Sequence, residues 1–441
     1  MREKLSTILA ARRTGQNAYV SLSEEVGNPD FQNEEDYFGM RNPDANYRLL
    51  TLYRYWNIIE YFFPYKNLIE ENWDDVLKEF IPKFIESSNE QEYKLTTLEL
   101  IARVHDTHAN IYSNEPTLEQ YWGENYSPII VSFVEEKAVV TGYFDEELGN
   151  QTGMKIGDII THINGKKVDD IIKAQLKYIP ASNFSTKLRD LATKLLRSND
   201  EVLSINYLRN GEEATTELKT YKAQTLNVKN YNPFQVDKKS FQMVVNDIAY
   251  LYLGNLMNID LPEIMEKVLE TKGLIIDLRG YPKEFVLYTL GEYLLSQSQE
   301  FTTITGGSIK QPGLFTIRDT LTVGSDNKKY YQGKVVILVN EMTQSQSEFT
   351  AMGFQTVPNA TVIGSATAGA DGNVSFFTLP GGIRTAISGI GIYYPDGTET
   401  QRIGIVPDIE VQPTIEGMVD QKDEVLEKTV EIINAKDDSS N

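Results

Sequence analysis

The 441-residue sequence contains no cysteine and only three histidines. Without cysteine the chain can form no disulfide, thiol nucleophile or cysteine-based metal site. Histidine is the side chain whose ordinary pKa lies near neutrality, so a general base of that kind must be His105, His108 or His162. No stretch approaches the roughly 18 consecutive apolar residues of a membrane span, and no span is predicted.

Basic residues are also scarce relative to acidic ones. Lys plus Arg number 42 and Asp plus Glu 63, which gives a net charge of −21. This charge repels nucleic acid and anionic membranes, so a polypeptide is the expected partner and nucleic acid is not. The first residues, "MREKLSTILAARRTG", contain an apolar patch that runs directly into Arg12 and Arg13, and they are not interpreted as a signal peptide.

What the chain does contain is a large apolar fraction, 41% of its residues, which predicts two or three domains. Apolar residues recur at helical spacing in "NYRLLTLYRYWNIIEYFFPYKNLIEENWDDVLKEFIPKFIESS", and Pro64 and Asn67 mark a break between two helices. A third helix is predicted through "EYKLTTLELIARV". The aromatic stripe on these helices is interpreted as packing rather than as a ligand groove.

From about Tyr126 the pattern changes to short strands, among them "PIIVSFV", "KAVVTGYF" and the alternating "IITHI". Asn164 and Gly165 predict a tight hairpin turn. The sequence "GDIITHING" resembles the corresponding turn of PDZ domains, which bind extended peptides and capture a terminal carboxylate. A small structural barrel without a ligand is the alternative, and His162 is interpreted as structural.

The remainder of the chain alternates buried strands with helices. "GLIIDLRG" and "KVVILVN" are continuous apolar runs typical of strands buried on both faces, and each precedes a helical pattern. "ATVIG", "VSFFTL" and "IRTAIS" follow. This order predicts a partly parallel sheet with helices packed against it, where reactive groups collect between strand ends and helix starts.

Ser345 occupies such a position, between "KVVILVN" and a helix. The segment Ser345–Glu348, "SQSE", fits a capping box, in which the serine serves only as the helix cap. A strand, tight turn and helix also present a side chain beside backbone amides that can stabilise an oxyanion. The residues alone leave both interpretations open.

Four motifs, "GLIIDLRGY", "VVILVNEMTQSQSE", "ATVIGSATAGADGN" and "GIVPDIEV", occur in the order found in the C-terminal processing, or tail-specific, serine peptidases, which the chain resembles over nearly its whole length. The resemblance implies that Ser345 is the nucleophile and that the backbone amides of Gly280 and Gln346 form the oxyanion hole. It also implies a crotonase-like or Clp-like αβ catalytic domain and no cofactor.

One departure separates the chain from the family members that use a serine and lysine dyad. Those members carry lysine in a "GKG" turn, whereas this sequence has Ala370 in "GAD". The chain resembles instead a histidine-using branch that includes the tricorn core and the chlamydial secreted protease. By that resemblance "DTHA" supplies the base, His108, together with the Asp106 of the same segment, and "GTETQRIGIVPD" supplies Glu399 as the assisting acid.

The predicted fold class is α/β, in a multidomain α+β arrangement. A helical segment (residues 1–125) is followed by a PDZ-like domain (126–222), an αβ peptidase domain (223–436) and a polar tail (437–441). The resemblance implies a serine endopeptidase that hydrolyses polypeptides, including bonds near their C-termini, in a periplasmic, cell-envelope or secreted location. Oligomeric state is not predicted.

Two alternative functions remain open. The chain could be a catalytically inactive peptide-binding scaffold, or a carrier of small apolar ligands with the same fold. The pair His105 and His108 is spaced as metal ligands can be, but no third ligand is evident, and no metal site is predicted. Glu341, Glu348, Asp396 and Asp408 compete with Glu399 for the role of the acid.

Overall fold

A computed structural model describes residues 17–226, 228, 238–245 and 247–435 of the chain. The basic N-terminal stretch and the polar tail 437–441 lie outside these residues. Among the described residues, no helix is both long and apolar enough to cross a membrane.

The first unit begins with a short antiparallel hairpin of strands β1 (Val20–Leu22) and β2 (Pro29–Phe31). The helices that follow are Ala45–Phe62, Trp73–Glu86, Glu90–Ala102 and Pro116–Trp122. The first helix ends before Pro64, and Asn72 caps the second by accepting the Asp74 N–H at 3.0 Å. The two helices and the break between them are therefore as predicted.

The second unit contains one six-stranded and one three-stranded antiparallel sheet. Its strands are β3 (Asn125–Tyr126), β4 (Ile129–Val134), β5 (Lys137–Tyr143), β6 (Ile159–Ile163), β7 (Lys166–Lys167), β8 (Arg197–Ser198), β9 (Val202–Arg209), β10 (Glu212–Lys219) and β11 (Tyr221–Lys222). Its helices are Glu146–Gln151, Val168–Gln175 and Phe184–Leu195. Asn164 and Gly165 both have positive φ, 48° and 73°, as the predicted tight turn requires.

Strand order in the six-stranded sheet is β10-β9-β6-β5-β4, with β7 paired to β6, and β3 lies between β11 and β8 in the three-stranded sheet. β4 is therefore an edge strand, and the helix Phe184–Leu195 packs beside it. A cleft of about 700 Å³ lies at this edge. An edge strand beside a helix is the arrangement that accepts an extended peptide by strand addition.

The third unit contains a mixed six-stranded sheet. Its strands, with the hairpins attached to it, are β12 (Phe241–Val245), β13 (Ile248–Tyr252), β14 (Gly273–Asp277), β15 (Gln299–Gly307), β16 (Phe315–Val323), β17 (Lys334–Val339), β18 (Thr361–Gly364), β19 (Val374–Leu379), β20 (Ile383–Ser388), β21 (Gly391–Tyr393) and β22 (Ile409–Glu410). Its helices are Leu261–Val268, Leu287–Leu294, Gln346–Phe354, Ile415–Val419 and Glu424–Asn434.

Strand order in the main sheet is β12-β13-β14-β17-β18-β22, parallel except for β12. Leu274 and Ile276 of β14 pack with the helices Leu287–Leu294 and Gln346–Phe354 on one face. Ile275 packs on the other face with the helix Glu424–Asn434. Both faces of the strand are buried, which explains its continuous apolar sequence.

The hairpin of β19 and β20 leaves this sheet and packs into the helical unit. Phe377 and Ile387 share a buried core with Tyr55 and Leu100 of the N-terminal helices. Sequence patterns placed "VSFFTL" and "IRTAIS" as strands but did not predict this shared core. The packing fixes the end of the helical unit, which carries His108, against the third unit.

Candidate active site

Ser345 stands on a strained turn between β17 and the helix Gln346–Phe354. Its φ of 54° and ψ of −117° place a residue with a Cβ in a region that costs about 1–3 kcal/mol. Strain of this size persists only where the surroundings impose it. The Ser345 N–H donates to the Ala370 carbonyl oxygen at 3.0 Å and to Glu348 Oε2 at 3.1 Å.

Glu348 is the anchor of this turn. Its fully buried carboxylate also accepts the N–H groups of Gly369 at 2.7 Å and Ala370 at 3.0 Å. Burial raises the pKa of Glu348, while the hydrogen bonds that it accepts act against that shift. Ser345 is the helix cap that the capping-box interpretation predicts, and Glu348 holds it in a conformation that an ordinary cap does not need.

The predicted oxyanion donors, Gly280 and Gln346, lie in the segments that follow the neighbouring strands β14 and β17. Gln346 begins the helix, where backbone N–H groups have no partner within the helix. Gly280 follows β14, and its carbonyl oxygen accepts the Ser347 hydroxyl at 2.9 Å. This bond ties the loop after β14 to the first turn of the Ser345 helix.

Ser345 and Gln346 open on a pocket of about 430 Å³. Its apolar wall includes three aromatic side chains that remain substantially exposed, Tyr281, Phe285 and Tyr288. Val26, from the loop between β1 and β2, also lines it. Exposed aromatic residues beside a polar centre are typical of a ligand site.

Asp371 lies in the same pocket although it is 2% exposed. Its Oδ1 accepts the Gly372 N–H at 2.6 Å, and its Oδ2 has no hydrogen-bond partner in the described part of the chain. Burial and the nearby Glu348 raise the pKa of Asp371 well above its ordinary value. Sequence reasoning did not single it out.

His108 lies in a buried hydrogen-bonded network. Its Nδ1 is 3.0 Å from Ser388 Oγ, and Ser388 Oγ donates to Asp106 Oδ1 at 3.0 Å. The Ser388 N–H and Gln401 Nε2 also donate to Asp106, at 2.8 and 3.2 Å. Because the single Ser388 hydroxyl hydrogen goes to Asp106, Ser388 Oγ must accept a hydrogen from His108 Nδ1. This assigns the tautomer in which Nε2 carries the lone pair.

Burial lowers the pKa of His108, and the charge of Asp106 partly offsets that effect. The imidazole is consequently neutral at neutral pH, which is the state that a general base requires.

The turns of His108 and Ser345 contact the same loop. Thr107 Oγ1 donates to the Ala368 carbonyl oxygen at 3.3 Å, two residues before the Ala370 carbonyl that accepts the Ser345 N–H. The structure records no contact between the His108 and Ser345 side chains within the described ranges. In the part of the chain that the structure describes, neither His108 nor Gly280 lines the Ser345 pocket, and no lysine does.

Glu399 is placed elsewhere. Its Oε1 accepts Asn67 Nδ2 at 3.1 Å, and its backbone forms a bridge with Tyr393. The carboxylate connected to His108 is that of Asp106, through the Ser388 hydroxyl. From the loop that contains Glu399, the side chain that donates to Asp106 is Gln401. Sequence reasoning singled out neither Gln401, although it lies in the segment "GTETQRIGIVPD" together with Glu399, nor Ser388, which belongs to none of the catalytic motifs.

The other two histidines have local partners. His105 Nδ1 is 3.3 Å from Lys187 Nζ, and burial together with the charges of Lys187 and Arg402 lowers its pKa to about 4. His162 Nδ1 is 3.1 Å from Thr161 Oγ1 in the second unit. Within the described residues, no group of three or more His, Asp or Glu side chains is placed to hold a metal ion.

Residues 247–411 match the family model described as "Peptidase family S41". The matched range includes Ser345 and the pocket residues from Tyr281 to Ile392. The matched residues lie in the third unit and resemble this peptidase family. The match begins after the unit that contains His108. No curated protein matches the chain.

Solved structures share the fold over most of the chain. The structure of mature CPAF complexed with lactacystin aligns with a TM-score of 0.67 at 13% identity and covers 88% of this chain and 98% of CPAF. A putative peptidase from Parabacteroides merdae aligns with a TM-score of 0.55 at 17% identity and covers 91% of this chain and all of that one. These likenesses establish the mixed helix and sheet architecture.

Proposed function

We propose that the chain hydrolyses peptide bonds by nucleophilic attack of Ser345. The observation that carries this proposal is the conformation of Ser345, a strained non-glycine residue held by two hydrogen bonds at the mouth of a pocket. Backbone strain of this kind persists where a side chain must point at a ligand. A helix cap without chemistry has no need of it.

In the proposed reaction, Ser345 Oγ bonds to the scissile carbonyl carbon as its proton passes to a base. The carbonyl π pair becomes an oxyanion beside the amides of Gln346 and Gly280. The C–N bond then breaks, and the protonated base returns its proton to the leaving amine. Water hydrolyses the acyl-enzyme by the same sequence of steps and restores Ser345.

We assign the base to His108. Its turn contacts the loop that holds Ser345, and the network through Ser388 and Asp106 directs the lone pair to Nε2. The other two histidines contact different groups: His105 contacts Lys187, and His162 contacts Thr161 in the second unit. Assistance from Glu399, inferred from the family resemblance, remains a prediction, and Asp106 is the carboxylate that supports His108 through its contacts.

The substrate is a polypeptide, and we propose that the cleft at β4 binds an extended segment of it, including a C-terminus. The PDZ-like arrangement of edge strand and helix supports this role. Arg189 connects the cleft to the catalytic loop, because it lines the cleft and donates to the Glu341 carbonyl oxygen at 2.7 Å. A periplasmic, cell-envelope or secreted location is proposed from family resemblance alone.

The proposal is tested by treating the wild-type chain and the Ser345→Ala variant with a fluorophosphonate probe and with a panel of unstructured peptides. We expect mass spectrometry to locate the adduct on Ser345 and peptide cleavage to disappear in the variant. Ser298→Ala, an exposed serine that lines neither the Ser345 pocket nor the cleft at β4, is the control for serine removal. Cleavage that survives in Ser345→Ala would contradict the proposal.

Peptide binding without labelling or cleavage would favour the scaffold alternative. Binding of a small apolar molecule in the Ser345 pocket, again without cleavage, would favour the carrier alternative.

A further inference from the structure

The Ser345 pocket contains a buried carboxyl group that is only partly satisfied by the protein. Asp371 directly follows Ala370, whose carbonyl oxygen accepts the Ser345 N–H at 3.0 Å, so its backbone lies close to the proposed nucleophile. Its Oδ1 accepts the Gly372 N–H at 2.6 Å, whereas its Oδ2 has no hydrogen-bond partner within the described ranges. A buried acceptor without a partner is costly, and a donor on a bound ligand would remove that cost.

Two further carboxyl groups line the same pocket. Asp319 of β16 lies opposite Ile304 of β15, which in turn lies opposite Ile392 of β21. Directly opposed residues share one face of a sheet, and all three of these side chains line the pocket. Glu25 lines it from the loop between β1 and β2. Glu25 and Asp319 are exposed, and neither forms a salt bridge with another described residue.

The described part of the chain supplies no arginine, lysine or histidine side chain to this pocket. Arg318, on the same strand β16, donates instead to the Val26 carbonyl oxygen at 3.2 Å. Much of the remaining wall is apolar, and it includes the three exposed aromatic rings described above. The pocket therefore combines three acidic groups, aromatic faces and apolar surface without a cation of its own.

We infer that this pocket binds an arginine or lysine side chain of the substrate, from the residue that precedes the cleaved bond, with Asp371 as the residue that determines this specificity. The inference rests on the proposed function and deepens it by naming a substrate class. The carbonyl group that Ser345 attacks belongs to the residue before the cleaved bond, so the side chain of that residue is the nearest one to the pocket.

The chemistry of arginine and lysine matches the wall of the pocket. Each has an apolar stem and a cationic end that only donates hydrogen bonds, which suits apolar surface, aromatic faces and carboxylate oxygens together. The pocket volume of about 430 Å³ is within the range that accommodates such groups. The net charge of −21 also favours encounter with cationic polypeptides.

The burial of Asp371 makes its charge depend on the bound side chain. Burial and the nearby Glu348 raise the pKa of Asp371, which disfavours an ionised carboxylate without a partner. A cation beside the carboxyl group favours the ionised form and lowers that pKa. Because Glu25 and Asp319 are exposed, solvent screens their charges, and each should contribute less than Asp371.

The first experiment compares peptides that differ only at the residue before the cleaved bond, which is arginine, its neutral counterpart citrulline, or glutamate. With wild type, kcat/KM for the arginine peptide should exceed that for the citrulline peptide by about tenfold or more, and the glutamate peptide should be cleaved most slowly. Asp371→Asn keeps the shape of the side chain and removes its charge, so the arginine-to-citrulline ratio should fall to within about threefold. This ratio does not depend on the fraction of folded enzyme.

Glu300→Gln is the matched control for loss of one negative charge. Glu300 is an exposed residue of β15 that lines neither this pocket nor the cleft at β4, so the ratio should stay within about twofold of wild type. Equal cleavage of the arginine and citrulline peptides by wild type would overturn the inference. An unchanged ratio in Asp371→Asn would overturn it as well.

A binding measurement separates the inference from the proposed function. Calorimetry with Ser345→Ala requires no cleavage, and the arginine peptide should bind this variant about tenfold more tightly than the citrulline peptide. Adding Asp371→Asn should remove the difference, and equal affinities before that change would overturn the inference. Discrimination in binding without any cleavage by wild type would contradict the proposed function and support the cation site. Ser345-dependent cleavage without a preference for arginine would contradict the inference alone.

Discussion

The turn that carries Ser345 and the turn that carries His108 hold their side chains by different means. Ser345 has a strained backbone, with φ of 54°, and its side chain opens on a pocket. His108 is 6% exposed and is held through its side chain, by Ser388 and in turn by Asp106. The nucleophile is presented by backbone geometry, and the proposed base is oriented by a hydrogen-bond network.

This difference explains why one turn could be found from the sequence more easily than the other. A strand that leads into a helix through "SQSE" is a local pattern. Glu348 and Ala370, which accept the Ser345 N–H, follow Ser345 by 3 and 25 residues. The network around His108 joins residues about 280 to 295 positions apart, as with Ser388 and Gln401. No local pattern records such a network, so only the family resemblance pointed to His108.

The largest expected effect is on the His108 side of this comparison. His108→Ala should lower kcat/KM by about 10³-fold or more, because Ser345 loses its proton acceptor. His105→Ala and His162→Ala are the controls and should leave activity within a few-fold of wild type. Peptide hydrolysis assays on the three variants test the prediction, and a comparable loss at His105 would contradict the assignment.

The second prediction concerns pH. Because burial lowers the pKa of His108, wild-type kcat/KM should rise with pH along a limb centred below about 6.5, the ordinary histidine value. The charge of Asp106 raises this pKa, so Asp106→Asn should move the limb to still lower pH. The position of the limb does not depend on the fraction of folded enzyme, which makes it informative even if the variant is destabilised.

If the limb of Asp106→Asn lay at higher pH than that of wild type, the proposed interaction between Asp106 and His108 would be contradicted. An unmoved limb would show that a group other than His108 is titrating.

The third prediction tests the strain at Ser345. Glycine adopts positive φ without the steric cost of a Cβ, whereas alanine keeps it. After the greater freedom of glycine in the unfolded chain is subtracted, Ser345→Gly should be more stable than Ser345→Ala by about 1 kcal/mol. Denaturant unfolding of the two inactive variants measures the difference. Equal stability, or a more stable alanine variant, would mean that the turn is not strained.

Much of the fold could be predicted from the sequence because its signals are local. The two helices around Pro64, the Asn164–Gly165 turn and the buried strands β14 and β17 each have a periodicity or turn residue of their own. The packing of β19 and β20 into the helical unit has no such signal, because their apolar residues fit either core. Asp371 and Tyr281 could not be singled out either, since their importance comes from the pocket in which they lie.

The smallest expected effect concerns Glu399, which the family resemblance names as the assisting acid. Its carboxylate contacts Asn67 rather than the His108 network, and it is partly exposed. A solvated carboxylate without contact to the base is screened, so Glu399→Gln should change kcat/KM by less than about threefold. Glu341→Gln, another acidic candidate near the same catalytic loop, is the matched control for loss of one negative charge. A fall of about tenfold or more that is specific to Glu399 would restore its catalytic role, because a transition-state contact of that size requires the carboxylate to reach the site when substrate binds.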